Sequence, residues 1–140
     1  MAKNLNTLIR LNEWTVDERR RELGQVLRAL VELEAGLERL RQEVVNEQNA
    51  AMASPEEAGF FYGNYARAAI GRRQSLDDGI RRMEAQVAAA RERLNEAYRE
   101  LKKFEVAQKT RDQREARELA RREQGVLDEI GLTLFRLKQG

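Results

Sequence analysis

An apolar residue recurs at every seventh position through six heptads: Ile9, Val16, Leu23, Leu30, Leu37 and Val44. With these as position a, the d positions are Leu5, Asn12, Arg19, Val26, Leu33, Leu40 and Glu47. A 3-4 spacing held this long puts a narrow apolar stripe on one side of a helix. It also winds that helix left-handed around a partner. The outer positions read Glu, Arg and Gln, as a solvated face should.

The stripe stops in residues 48–54. Ser54-Pro55-Glu56-Glu57 then reads as a helix start, with Ser as N-cap, Pro at the first helical position and Glu57 closing a capping box. Gly59 and Gly63 flank Phe60, Phe61 and Tyr62, a composition that lets a helix start fray. The pattern therefore predicts a first helix over about 4–52, a turn within about 51–63 and a second helix over about 64–138. The second stripe runs Leu76, Ile80, Met83, Val87, Ala90, Leu94, Ala97, Leu101 and Phe104. Its continuation meets Gln108, Arg111, Glu115 and Glu118, so the seam ends there. A new stripe follows, with Leu119, Val126, Leu127, Ile130, Leu134 and Leu137.

Two long helices joined by a short turn run antiparallel, and a layers then face d layers. Pairing residues whose numbers sum to 120 does this, with Val44 against Leu76, Leu40 against Ile80 and Leu33 against Val87. A sum of 113 does it with a tighter turn and a slightly poorer apolar match, so 120 is the preferred expectation. Either register leaves about 25 residues, ~37 Å of helix, beyond the hairpin. The expected fold is all-α: an antiparallel coiled-coil hairpin with a protruding C-terminal helix, one domain over residues 1–140.

Composition narrows the chemistry. Ala, Glu, Lys, Leu and Arg supply 80 of 140 residues, as in long helices. With no Cys and no His, a disulfide scaffold, a Cys/His zinc site and a Ser-His-Asp or Cys-His centre are all excluded. No Gly-rich phosphate loop of the GxxxxGK[ST] kind is present. Carboxylates are plentiful, but a two-helix coil offers no cleft to shift their pKa values. No enzyme activity, cofactor or metal is expected. Net charge is +2 with acids interleaved among the basic residues, which speaks against a nucleic-acid footprint. No run of 18 apolar residues and no apolar leader is found, so a cytoplasmic protein is expected.

Function is then sought in apolar residues off the seam. Trp14, the only Trp, falls at f, with Leu11 at c one turn away. Both lie at the end of the hairpin that carries the C-terminal stripe, which favours a partner contact over an incidental surface aromatic. Val31 and Val45 occupy b positions. Phe60, Phe61, Tyr62 and Tyr65 form either a plug that closes the hairpin or a recognition tip. Asn12, Arg19, Gln108 and Arg111 are polar seam residues that set register and loosen the coil locally. Arg19–Arg21 and Arg121–Arg122 are flanked by acids, as on a solvated helix face.

Several segments together resemble one family. LIRLNEWTVDERRREL (8–23), FFYGNYARA (60–68), LNEAYRELKKFEVAQ (94–108) and RREQGVLDEIG (121–131) occur in the order of the corresponding segments of FliJ. FliJ is the small coiled-coil protein of the bacterial flagellar type III export apparatus. The resemblance implies a stalk akin to that of rotary ATPases, whose ends enter the pore of the hexameric export ATPase. It implies further partners: the ATPase regulator, the cytoplasmic domain of the export gate and substrate chaperones. The chain would sit at the cytoplasmic face of the inner membrane through that gate. Leu11, Trp14, Glu123, Gln124, Leu127, Asp128, Glu129, Ile130 and Leu134 become the ATPase-binding candidates, Glu123, Gln124, Asp128 and Glu129 by match to the closing motif. Val45, Phe60, Phe61, Tyr62 and Tyr65 become the gate- and chaperone-binding candidates, Tyr65 by match to the aromatic-Asn-Tyr motif. Competing readings are a substrate chaperone or adaptor, the stalk of a virulence-type secretion system, and a self-assembling coiled coil. For the isolated chain the sequence leaves both a monomer and two rods paired through their apolar ends open.

Overall fold

The structure, a computed structural model, describes residues 2–139; the side chains of residues 2–4, 55 and 57–60 lie outside the description. Two helices account for it: α1 (Ala2–Ala53) and α2 (Pro55–Gln139), with Ser54 between them. The reversal expected within 51–63 is thus confined to one non-helical residue, and α2 begins about nine residues before the expected 64. Proline suits a first helical position, since its missing N–H has no partner there in any case. Gly63 costs about 1 kcal/mol of helix propensity relative to Ala. Packing of Tyr62, Tyr65 and Ala69 against α1 outweighs that cost.

The chain divides into two compact units, Thr15–Ala97 and Met1–Trp14 with Tyr98–Gly140. The first is an antiparallel hairpin. Among its described residues the buried side chains are Val16, Leu37, Leu40, Ala69, Val87, Ala90 and Ala97, all from the two seams. Four cross-helix contacts fix the register. A Cβ on Gly36 would stand 3.5 Å from Leu76, and one on Gly79 would stand 3.5 Å from Leu33. Arg72 pairs with Glu43 at 3.2 Å, and Arg93 with Glu22 at 3.7 Å. These pairs centre on a sum of 113, so the expectation of 120 is corrected by one heptad. A reversal at Ser54 brings the helices together sooner than a turn centred on residue 60 would. Seam spacing alone repeats every seven residues and cannot choose between the two. In the observed register Leu37 stands level with Leu76, Val26 with Val87, and Val16 with Ala97.

The second unit joins α1 up to Trp14 with α2 from Tyr98 onward. Leu5, Ile9 and Asn12 on α1 are half-buried, as are Leu101, Phe104, Gln108 and Arg111 on α2. From Asp112 to Gln139 every residue is exposed. This is the protruding helix that the sequence predicts.

Candidate functional site

Two surfaces gather the predicted residues, one in each unit. In the hairpin, the α2 seam continues upstream of Leu76 through Ala69 and Ala66 to Tyr62, with Tyr65 beside it at g. There the helices enclose a groove of about 410 Å³, lined by Leu37, Leu40, Val44, Val45, Tyr65 and Ile70, with Arg41 and Arg73 at its edges. The groove exists because Ala66 and Ala69 fill little of the space that larger seam residues take elsewhere. Tyr62 and Tyr65 pack with ring centroids 6.4 Å apart and planes inclined at 36°. The Tyr65 hydroxyl is shut off from solvent. Burial first, then the Glu43 and Glu47 carboxylates, raise its pKa above 10.0 against the opposing pull of Arg72.

Of the predicted tip residues, Val45, Tyr62 and Tyr65 therefore share one groove. Phe61 is 73% exposed and does not line it, and the side chain of Phe60 lies outside the described residues. Ile70, 58% exposed, was not among the predicted residues. Extending the 3-4 spacing back from Leu76 gives Arg73, Ala69, Ala66 and Tyr62, so Ile70 falls at e beside the seam and no repeat points to it.

In the terminal unit, α2 carries Leu119, Val126, Leu127, Ile130, Leu134 and Leu137, each at least half exposed. Large apolar side chains in such a row are uncommon on a solvated surface. Glu123, Gln124, Asp128 and Glu129 surround them, also exposed. The Gln124 side-chain amide donates to Asp128 Oδ1 at 3.0 Å, an i,i+4 bond along the helix. Leu132 and Phe135, 56% and 57% exposed, lie on the other side of the helix and were missed by reading one stripe. On α1, Leu11 and Trp14 are 57% and 60% exposed, off the seam as their heptad positions require.

Polar seam residues behave differently in the two units. In the hairpin, Arg19 donates to both oxygens of Glu22 at 3.0 and 3.1 Å, and Glu22 also faces Arg93 from α2. All three side chains are more than a third exposed, so the network adds about 0.3–1 kcal/mol. In the terminal unit, the Asn12 side-chain amide donates to its own helix, to the Leu8 carbonyl at 2.7 Å. Gln108 likewise donates to Asp112 on its own helix, and its buried carbonyl oxygen accepts no bond from the chain. An unmet buried acceptor costs about 1–3 kcal/mol.

Among the described residues no group of three or more acids stands together to hold a metal, and no helix is long and apolar enough to cross a membrane. A family model described as Flagellar FliJ protein matches residues 1–140. No curated protein and no solved structure matches the chain. With its whole length covered by that model, the chain belongs to the FliJ family of flagellar, export-related proteins.

Proposed function

We propose that the chain is a non-enzymatic stalk of the flagellar export ATPase complex. Its C-terminal helix enters the hexameric ATPase, promotes its assembly and turnover, and couples it to the export gate. The observation that carries this reading is the solvent-facing stretch Asp112–Gln139 with its apolar residues. An apolar helix face without an intramolecular partner is completed by an intermolecular one. Leu127, Ile130 and Leu134 supply apolar contact, while Glu123, Gln124, Asp128 and Glu129 supply polar contacts around them. Leu11 and Trp14 add contacts from α1. The complex sits at the cytoplasmic face of the inner membrane. Mixing the chain with its cognate export ATPase is expected to promote hexamers and raise ATP turnover. Leu127→Ser, Ile130→Ser and Leu134→Ser together are expected to abolish both effects. No effect of the intact chain on either would overturn the reading.

A second reading rests on the groove. Val45, Tyr62 and Tyr65, with Phe61 and Phe60 nearby in sequence, take the export gate or a substrate chaperone, which makes the chain an adaptor as well. Phe61→Ala and Tyr65→Ala are expected to lose gate or chaperone in a pull-down while ATPase stimulation persists. Full retention of both partners would remove the groove from the account.

A further inference from the structure

The groove of the hairpin unit has two unlike ends. Arg41 on α1 and Arg73 on α2, nearly level with each other in the observed register, mark one end. Their own helices hold them weakly. Arg41 reaches Glu38 at 3.6 Å and Arg73 reaches Asp77 at 3.9 Å, and both arginines are more than half exposed. Tyr62 marks the other end, about 17 Å from Arg73 along α2 at 1.5 Å per residue. On the α2 seam between these ends stand Ala69 and Ala66, whose small side chains leave the room in the groove.

The bare stripe of the terminal unit has the same spacing. At about 100° per residue, Glu123, Leu127, Ile130 and Leu134 fall within an arc of about 60° on α2. Glu123 is thus a carboxylate inside the apolar row, not at its rim. Its neighbours Arg121 and Arg122 both turn to Glu118, at 3.3 and 3.6 Å. The steps from Glu123 to Leu134 are 4-3-4, as are those from Arg73 through Ala69 and Ala66 to Tyr62. Laid antiparallel to α2 with Glu123 at Arg73, the segment puts Leu127 level with Ala69, Ile130 with Ala66 and Leu134 with Tyr62. Large side chains then meet small ones, and one carboxylate meets two guanidiniums. The opposite direction would leave Glu123 beside Tyr62 and set Leu134 between the arginines.

We propose that the groove receives the segment Glu123–Leu134 of a second copy of this chain, antiparallel to α2. The contact joins unlike surfaces, so it either closes reciprocally between two copies or continues to a third. Three helical turns make a small interface, which dissociates on dilution below about 1 μM. Self-pairing shields the stripe that the export ATPase takes under the function proposed for it. The self-contact stands independently of that function.

Sedimentation velocity of the full chain over a concentration series tests it. The weight-average mass is expected to rise between about 1 and 100 μM. Arg73→Glu and Glu123→Arg, each alone, are expected to weaken association at least about 10-fold, because like charges then meet at the end of the groove. Combined in one chain, the two substitutions are expected to restore it. Because the chain has no Cys, Ala66→Cys on one copy and Ile130→Cys on another give a probe of register. Mixed under mild air oxidation, they are expected to cross-link at least about 10-fold faster than exposed Val31→Cys mixed with Ile130→Cys. A chain that stays monomeric to about 100 μM would overturn the proposal and leave the groove to a helix of another protein. Association that survives both single charge variants would also overturn it, as would cross-linking no faster than in the Val31 control.

Discussion

The hairpin unit and the terminal unit are built from the same materials and do opposite things with them. Both are α-helical, rich in Arg and Glu, and patterned with leucine. In the hairpin, two apolar stripes face each other and bury Leu37, Leu40, Val87 and Ala90. In the terminal unit, Asn12 and Gln108 interrupt the seam, and the C-terminal apolar stripe of α2 is exposed along its length. A packed core and a bare stripe are thus made of the same kinds of side chain, and only the presence of a partner helix separates them. The hairpin fixes the fold, and the terminal unit keeps its apolar surface available.

The largest effect that could break this contrast is in the core. Leu40→Ala, at a position only 3% exposed, should cost about 2–4 kcal/mol in denaturant unfolding. Leu127→Ala in the terminal unit should cost under about 0.5 kcal/mol, because the side chain is already 61% exposed. Similar losses for the two would mean the bare stripe is packed in solution. Next in size is Gly71→Ala. A Cβ there meets nothing within 4 Å, so helix propensity alone acts, and a gain of about 0.5–1 kcal/mol is expected in thermal unfolding. Destabilisation would show that Gly71 is held for close approach by another chain.

Smaller still is Glu22→Gln, which removes the carboxylate shared by Arg19 and Arg93. A loss of about 0.3–1 kcal/mol that shrinks in high salt is expected, and a salt-independent loss would assign Glu22 a packing role. The smallest effect is on titration. Tyr65 should ionise above pH 10.0 in ultraviolet absorbance, and Glu43→Gln should bring its midpoint down. The raised folded-state value means that its stabilising contribution is complete below pH 10 and fades as pH rises through the folded pKa. An unshifted midpoint would place Tyr65 in open solvent and remove it from the groove.

Much of this contrast is legible in the chain itself. The stripes through Val44 and Phe104 specify two helices, and the polar run from Gln108 to Glu118 marks where the seam ends. The register is not legible, because a seven-residue slip leaves every a–d layer nearly as apolar as before. It is decided by the reversal at Ser54, where the Ser-Pro-Glu-Glu start outweighs the Gly59 and Gly63 signals. The groove escapes a linear reading for a related reason. Ala66 and Ala69 look like weak seam residues in sequence, whereas in space their small size makes room beside Tyr65. The bare stripe was legible on one side only, since Leu132 and Phe135 follow no repeat.

Hydrogen–deuterium exchange of the chain alone and with its export ATPase tests the central claim most directly. The account predicts that protection is gained in residues 119–137, while residues 37–45 and 62–70 are unchanged. Protection gained at the groove with none over residues 119–137 would contradict it.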